Sequence, residues 1–474
     1  MDRRLINRTM KTVAPLLAAL LLSACSTVPA LTPAPLDMPS AFKEAATNGV
    51  WQPARPADAQ QRGQWWLAFN DPALTALIDE ASRANASLAV AAARVKQARA
   101  LAGMSESERS VQLGAGLGAQ RTGADNAPSA NQYQARLSAS YEVDLFGRIG
   151  ADVSAARADA AASTATYHSV LLSLQADVAQ TYFRLRATDA ELATLARSVD
   201  LRTQSVKVNQ SRFDNGDIGE FDLARSKTEL ANAKAEAIGL QRRRVQAEHA
   251  LAVLLGKPAA MFSAEAGPLP DAGTLPVIPA GVPSLLLQRR PDIVAAQRAM
   301  VASNARIGVA KAARFPSLLL DGGLGTNAAS ASNLFKWSAH AWVLGAVMSL
   351  PVLDGGRNKA NVARSEAVLE ESVAAYRQNV LVAFAEVEDN LAGLRILAGQ
   401  AEQVDAAVVS ARRSADLAQK LYQAGRSSYL DLLDAQRNLA AVERSAVLLR
   451  GDRAVTTVAL IRSLGGGWDQ VAAK

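Results

Sequence analysis

Every seventh residue from 171 to 213 is apolar: Leu171, Val178, Leu185, Leu192, Val199, Val206 and Phe213. The pattern returns from 380 to 422, where Val380, Val387, Leu394, Ala401, Val408, Ala415 and Tyr422 share one phase. A seven-residue spacing kept over so many turns means supercoiled helices, because 3.5 residues per turn holds one seam against a partner. Proline, which breaks helices, is absent from 129–257 and from 352–474. A helix of about 60 residues spans about 90 Å at 1.5 Å per residue. The alternative is an ordinary helical bundle, whose helices average roughly 11–12 residues.

The two heptad tracts belong to a longer repeat. Adding 209 to a residue number carries Gly147-Arg148 onto Gly356-Arg357, Gly216 onto Gly425, Asp222-Leu223 onto Asp431-Leu432, and Leu255-Gly256 onto Leu464-Gly465. Solenoid units run roughly 20–50 residues, so this period reads as a duplicated half-protein. The expected repeats are 63–270 and 271–474.

Between the helical tracts the period drops to two. Tyr133, Ala135, Leu137, Ala139, Tyr141, Val143 and Leu145 alternate with Gln134, Arg136, Ser138, Ser140, Glu142 and Asp144. This is a strand signal. A weaker run, Val111 to Gln120, precedes it, and 121–130, with Gly123, Asp125, Asn126 and Pro128, is expected as a turn or loop. The first hairpin is placed at 110–146. A second, at 316–351, comprises Ser317 to Gly325, a loop near Thr326 to Asn333, and Phe335 to Leu350, with Trp342 and Leu344 falling on the nominally polar face. Strands of about 10 residues with one apolar and one polar face fit a membrane β-barrel; half of a soluble sandwich is the alternative.

The N-terminus weighs on that choice. A basic start, Arg3, Arg4, Arg8 and Lys11, leads into a short apolar run, Val13 to Leu22, then Leu22-Ser23-Ala24-Cys25. The run is too short to span a membrane and reads as a secretory signal, 1–24. Cys25 directly after the expected cut suits lipid attachment. It is the only cysteine, so no intramolecular disulfide exists. Residues 25–62, rich in Pro and Ala, read as a lipid-anchored tether. Of the net charge of +7, residues 1–24 hold +3, leaving a mild +4 that implies no nucleic acid. Arg242-Arg243-Arg244 is expected as a solvated helix face.

Four strands cannot close a membrane barrel, whose smallest examples have about eight, and an open sheet edge cannot sit in lipid. If these strands span, the chain assembles as a dimer, trimer or tetramer, each copy contributing a segment of wall.

Several segments together carry a family resemblance. They are Trp65-Trp66 through Asp71-Pro72-Ala73-Leu74, Asp144-Leu145-Phe146-Gly147-Arg148, Gln288-Arg289-Arg290-Pro291-Asp292-Ile293, Phe315-Pro316-Ser317, Asp354-Gly355-Gly356-Arg357, Tyr429 through Arg437, and Ala459 through Trp468. The chain resembles the TolC-type outer-membrane factors, in the lipoprotein subgroup of drug-efflux outer-membrane proteins. The resemblance implies a mainly α fold with a β-barrel segment, internally duplicated, four strands plus long coiled-coil helices per chain. Three chains would form a twelve-strand barrel in the outer membrane and a twelve-helix α-barrel in the periplasm. It implies an efflux channel that receives drugs or other small toxic compounds from an inner-membrane pump through a periplasmic adaptor, with no covalent chemistry and no cofactor.

The resemblance also implies sites. The turns near Gly216 and Gly425 would form the periplasmic entrance. Asp431 and Asp434 match the family's constriction acids, and their i, i+3 spacing puts both carboxylates on one helix face. Three copies would make acidic rings that favour cations; the alternative is a pair of solvated carboxylates beside Arg437. In the first repeat Asp222 is the counterpart of Asp431, but Arg225 stands where Asp434 would be. Asp222 and Tyr422 match two members of the latch that holds the family's closed state. The latch arginine falls at Ser427, with Arg426 one residue earlier, a displacement of about 100° on a helix.

Neither a metal site nor a phosphate loop is expected. His168, His249 and His340 lack ligand spacing, and Gly322-Gly323-Leu324-Gly325 lies in a strand. The rival functions are the exit duct of a type I protein secretion system and a structural coiled-coil lipoprotein without a pore.

Overall fold

The computed structural model describes residues 27–31, 39, 41–44, 63–125, 127–276, 278 and 289–466. The signal segment 1–24 and Cys25 lie outside them. The described helices are α1 (Pro72–Ala84), α2 (Ala86–Ser107), α3 (Arg148–Asp214), α4 (Glu220–Leu254), α5 (Pro291–Ala312), α6 (Arg357–Gln423) and α7 (Tyr429–Ser463). The strands are β1 (Gln112–Ala124), β2 (Ala127–Val143), β3 (Ser317–Ala328) and β4 (His340–Ser349).

The duplication is visible element by element. α3 and α6 each have 67 residues and start 209 apart; α4 and α7 each have 35 and keep the same offset. Gly147, Gly216 and Gly256, and their counterparts Gly356, Gly425 and Gly465, all have positive φ. The Asp of each strand-to-helix junction satisfies the start of the next helix. Asp144 accepts from the backbone N–H of Ile149 and Gly150 at 3.0 and 2.7 Å. Asp354 accepts from Gly356 and Asn358, both at 2.9 Å.

The chain divides into two compact units, each holding parts of both repeats. One comprises 93–166 and 294–379 with the described residues 27–31. It contains a four-stranded antiparallel sheet in the order β1-β2-β3-β4. Phe146 and Phe315 stack at 4.7 Å between ring centroids, and Thr27 donates a hydrogen bond to the Phe146 carbonyl at 3.1 Å.

The sheet departs from the sequence reading in three places. The expected loop at 121–130 is mostly strand: β1 continues to Ala124 and β2 begins at Ala127, with Ala124 paired to Ala127 and a register shift just before it. Pro128 is tolerated because β2 pairs with β3 only from Tyr133 onward, leaving one side of its first residues free. The last strand begins at His340 rather than Phe335, after short 3-10 turns at Ala331–Asn333 and Trp337–Ala339. Finally, Trp342 and Leu344 are not on the polar face. Trp342 pairs with Leu324, which pairs with Leu137, and Leu344 pairs with Gly322, which pairs with Ala139. Within β4 both even positions (Trp342, Leu344) and odd ones (Val343, Val347) are apolar, so its own alternation does not mark a face, and only the pairing with β3 assigns it.

With that register β1 and β2 present one apolar and one polar face, while Leu319 of β3 and Val343 and Val347 of β4 add apolar side chains to the polar side. Leu113, Leu117, Leu137, Leu324, Trp342 and Leu344 share the first; Leu117 is 83% and Trp342 79% exposed. Gln134, Arg136, Ser138, Ser140 and Asp321 share the other with Gly114, Gly116, Gly118, Gly323 and Gly325.

The second unit comprises 63–92, 167–293 and 380 onward, with the described residues 39 and 41–44. Its core gathers Trp65, Trp66, Phe69, Leu74, Ile78, Phe183, Leu185, Leu251, Leu255, Val458 and Ile461. The Trp65 segment is a 3-10 turn closed by Asn70 in the left-handed region. Asp71 then caps α1, accepting from the N–H of Ala73 and Leu74, while the Tyr182 hydroxyl donates to its other oxygen at 2.7 Å. The repeats are equivalent here too. Asn85 donates to the Leu254 carbonyl at 2.9 Å, and Arg290 donates to the Ser463 carbonyl at 3.2 Å, so each side chain closes the C-terminus of a 35-residue helix. Arg290 is held by Asp292 and Glu386. Burial pushes the Asp292 carboxyl up, but the Arg290 bonds outweigh it and leave it below the ordinary range.

The arginine run at 242–244 corrects another expectation. Arg242 and Arg243 are exposed. Arg244 instead donates to Asp189 at 2.7 Å, to Glu248 at 3.2 Å and to the Ala264 carbonyl at 2.7 Å. Asp189, 4% exposed in its side chain, also binds Arg186 and the Gly267 N–H, which fastens 264–267 onto α3 and α4. A buried carboxylate recruits the nearest cation, and seven-residue patterning does not report which arginine that is.

Candidate functional site

The two helix-to-helix turns of the second unit are built alike. At the first, Gly216 has φ +81° and the Asp217 N–H reaches back to the Arg212 carbonyl at 2.8 Å. At the second, Gly425 has φ +69° and the Arg426 N–H reaches the Leu421 carbonyl at 2.8 Å. Both are glycine-dependent C-terminal caps, which need a left-handed residue at that position.

After the second turn Ser428 starts α7 with a capping box. Its hydroxyl accepts from the Asp431 N–H at 3.2 Å, and the Asp431 carboxylate accepts from the Ser428 N–H at 3.0 Å and hydroxyl at 2.8 Å. The Ser428-x-x-Asp431 spacing is a readable capping signature that the functional match obscured. Leu432 and Leu433 pack inward with Tyr422 and Tyr429. Asp431 and Asp434 are both exposed, on the other side of the helix. Among the described residues Asp434 makes no hydrogen bond or ion pair.

Tyr422 is buried. Its hydroxyl donates to Asn209 of α3 at 2.6 Å, the Arg212 guanidinium lies over its ring at 5.0 Å, and the Tyr429 ring is 5.9 Å away. Burial pushes the Tyr429 hydroxyl above its usual pKa. Asp222 is half-buried and Arg426 exposed; neither side chain bonds another within the described chain. The structure thus brings Tyr422 to Asn209, and does not bring Asp222, Tyr422 and Arg426 together in one chain. Arg225 lies over the exposed Phe221 ring at 5.9 Å.

Arg437 makes no ion pair with Asp434, although the Asp434 charge acts on its guanidinium. It crosses to Glu229 on α4, donating from Nε to Oε2 at 3.2 Å and from Nη2 to Oε1. Arg202 of α3 donates to the same carboxylate at 2.5 Å. Burial raises the Glu229 carboxyl, but the bonds from Arg437 and Arg202 prevail and hold it below the ordinary carboxylate range. The sequence reading placed Arg437 only beside Asp434 and singled out neither Glu229 nor Arg202, although a signal existed. Glu229 and Glu236 are seven apart on α4, as are Arg437 and Arg444 on α7. A search for counterparts at the repeat offset passes over pairs that join one repeat to the other.

The chain matches the family model described as outer membrane efflux protein twice, over residues 77–257 and 282–466. It is similar to the cation efflux system protein CusC of Escherichia coli, 32% identical over 466 residues, covering 96% of this chain and 98% of that one. It is also similar to the pyoverdine export outer membrane protein OpmQ of Pseudomonas aeruginosa, 33% identical over 472 residues, covering 97% and 98%. A crystal structure of CusC superposes with a TM-score of 0.83 at 29% identity, covering 94% of this chain and all of that one.

Proposed function

This chain belongs to the outer membrane efflux protein family, and on that premise we propose that three copies form the outer-membrane duct of a tripartite efflux system. The duct conducts small toxic compounds delivered by an inner-membrane pump through a periplasmic adaptor, and carries out no covalent step itself. The observation that carries this reading is the sheet. Its lipid-compatible face is lined by exposed leucines and Trp342, its other face mainly by glutamine, serine, arginine and glycine, with Leu319, Val343 and Val347 at the β4 side, and β1 and β4 end it with unpaired edges. Unpaired edges are untenable in lipid; closing β4 of one copy on β1 of the next removes them. Three copies supply twelve strands, and their four long helices each, α3, α4, α6 and α7, supply twelve for the periplasmic passage.

In this reading Cys25 carries the lipid anchor, and Asp431 and Asp434 line the narrowest part of the passage. Asp222, Tyr422 and Arg426 belong to contacts that hold it closed, Asp222 and Arg426 across the assembly rather than within a chain. The relatives' names, cation in one case and pyoverdine in the other, suit a duct whose pump selects the cargo. The test is reconstitution of the purified protein in planar bilayers together with native mass determination. A trimer with cation-preferring channels is expected. A monomer, or a trimer that conducts nothing even after the Tyr422 contact is removed, refutes the proposal.

A further inference from the structure

Two charged ties hold the N-terminal half of α7 against the first repeat. The Glu229 side chain is 9% exposed and takes Arg202 from α3 and Arg437 from α7. Seven residues on, Arg444 of α7 donates to Glu191 of α3 at 2.6 Å and to Glu236 of α4 at 2.5 Å. The duplication supplies no equivalent. At the 209-residue offset Glu229 becomes Asn438, while Arg437 and Arg444 correspond to Thr228 and Ala235. The ties therefore serve α7 alone, the helix that carries Asp431 and Asp434.

Arg437 follows Asp434 by three residues, less than one turn. The first turns of α7 cannot swing away from α3 and α4 without drawing Arg437 off Glu229. Among the described residues the other polar restraints near the turn are Asp431 on its own cap, Tyr422 on Asn209 and Gln436 on Gln419 of α6 at 3.4 Å, beside the apolar contacts of Leu432 and Leu433; Asp222 and Arg426 bond no side chain. Losing Arg437 leaves the buried carboxylate with Arg202 alone and its other oxygen without a donor until water reaches it. The contact is thus either made, or broken and hydrated.

We propose that Glu229 is a positioning residue for the aperture: with Arg437 and Arg202 it sets the narrow position of α7, and widening the passage requires this tie to break. The inference rests on the reading of Asp431 and Asp434 as the aperture. Arg444 with Glu191 and Glu236 acts as the pivot beyond it, because these groups stay paired when only about the first three turns, which include Arg437, move.

The experiment is single-channel recording on the full-length, lipidated channel in planar bilayers. Glu229→Gln and Arg437→Gln are each expected to raise the fraction of time spent in the high-conductance level by about tenfold or more. The double variant should not exceed Glu229→Gln, since that change already removes the ion pair with Arg437. Glu229→Asp, which keeps the charge, should stay near wild type. Arg413→Gln, which removes an exposed pair with Asp416, should change nothing. Wild-type behaviour of Glu229→Gln, or additive effects in the double variant, overturns the proposal. Should Glu229→Gln fail to assemble, Arg437→Gln, which leaves Arg202 on the carboxylate, decides by the same criterion. Failure of the aperture reading looks different: Asp431→Asn with Asp434→Asn would then leave ion selectivity untouched, whatever the Glu229 variants do.

Discussion

Charge at the aperture can be separated from helix capping, and the geometry of Ser428 and Asp431 says how. Asp431 accepts two hydrogen bonds from Ser428 and returns its own N–H to the Ser428 hydroxyl. Alanine at 431 removes the carboxylate half of this box, at a cost comparable to losing a cap, about 0.5–2 kcal/mol per chain. It also removes a negative charge from the first turn, about 0.3–1 kcal/mol. Asparagine retains an acceptor oxygen for the Ser428 N–H and forfeits chiefly the charge, so its cost stays below about 1 kcal/mol. Asp434 is exposed, and replacing it costs within about 0.5 kcal/mol. Asp431→Asn with Asp434→Asn should therefore unfold close to wild type, while the double alanine variant unfolds earlier. Both should lose cation preference equally, read as the reversal potential in a salt gradient. If the asparagine pair keeps the wild-type reversal potential, the two acids are ordinary surface carboxylates. If selectivity falls only in the alanine pair, the effect belongs to the cap.

The remaining predictions address fold, topology and pH. Gly256→Ala and Gly465→Ala should each prevent stable assembly: both glycines have positive φ, a new Cβ would meet the Ala84 carbonyl oxygen in the first case and the Arg289 carbonyl oxygen at 2.8 Å in the second, and the backbone term alone is about 1–2 kcal/mol; normal trimer yield for either refutes this. Asp189→Ala should destabilise by about 3–5 kcal/mol, since it leaves the buried Arg186 without its carboxylate and Arg244 with Glu248 alone, as thermal unfolding would report. Single cysteines along β4 in a Cys25→Ser background should react with a water-soluble thiol reagent at 343, 345 and 347 and be shielded at 342, 344 and 346; the reverse order would reinstate the inverted face. Glu229 is faced by Arg202 from α3 and Arg437 from α7, with Tyr429 near by, and its folded pKa is depressed. Its tie is complete above the unfolded carboxyl value of 4.5 and is lost as pH falls through the lower folded value. High-conductance time should hold steady down to about pH 5 and rise below it, a rise that Glu229→Gln should lack.

Much of this protein is local, and local order is written in residue spacing. The heptads of 171–213 and 380–422 report helix length and seam without reference to any neighbour. The 209-residue offset returns in helices of 67 and 35 residues and in paired positive-φ glycines. Period two marks β2 because pleating alternates side chains whatever lies beside them. Tertiary structure decided what depends on which element lies opposite. Whether Trp342 faces lipid or pore follows from its pairing with Leu324 across the sheet, which β4's own sequence, apolar at even and odd positions alike, does not show. Asp431 carries a capping signature and a family match at once, and spacing alone does not rank them. Glu229, Arg202 and Arg437 meet only because α3, α4 and α7 pack together. Charges separated by 208 residues in sequence attract one another only once the fold brings them within hydrogen-bonding reach and excludes water from around them.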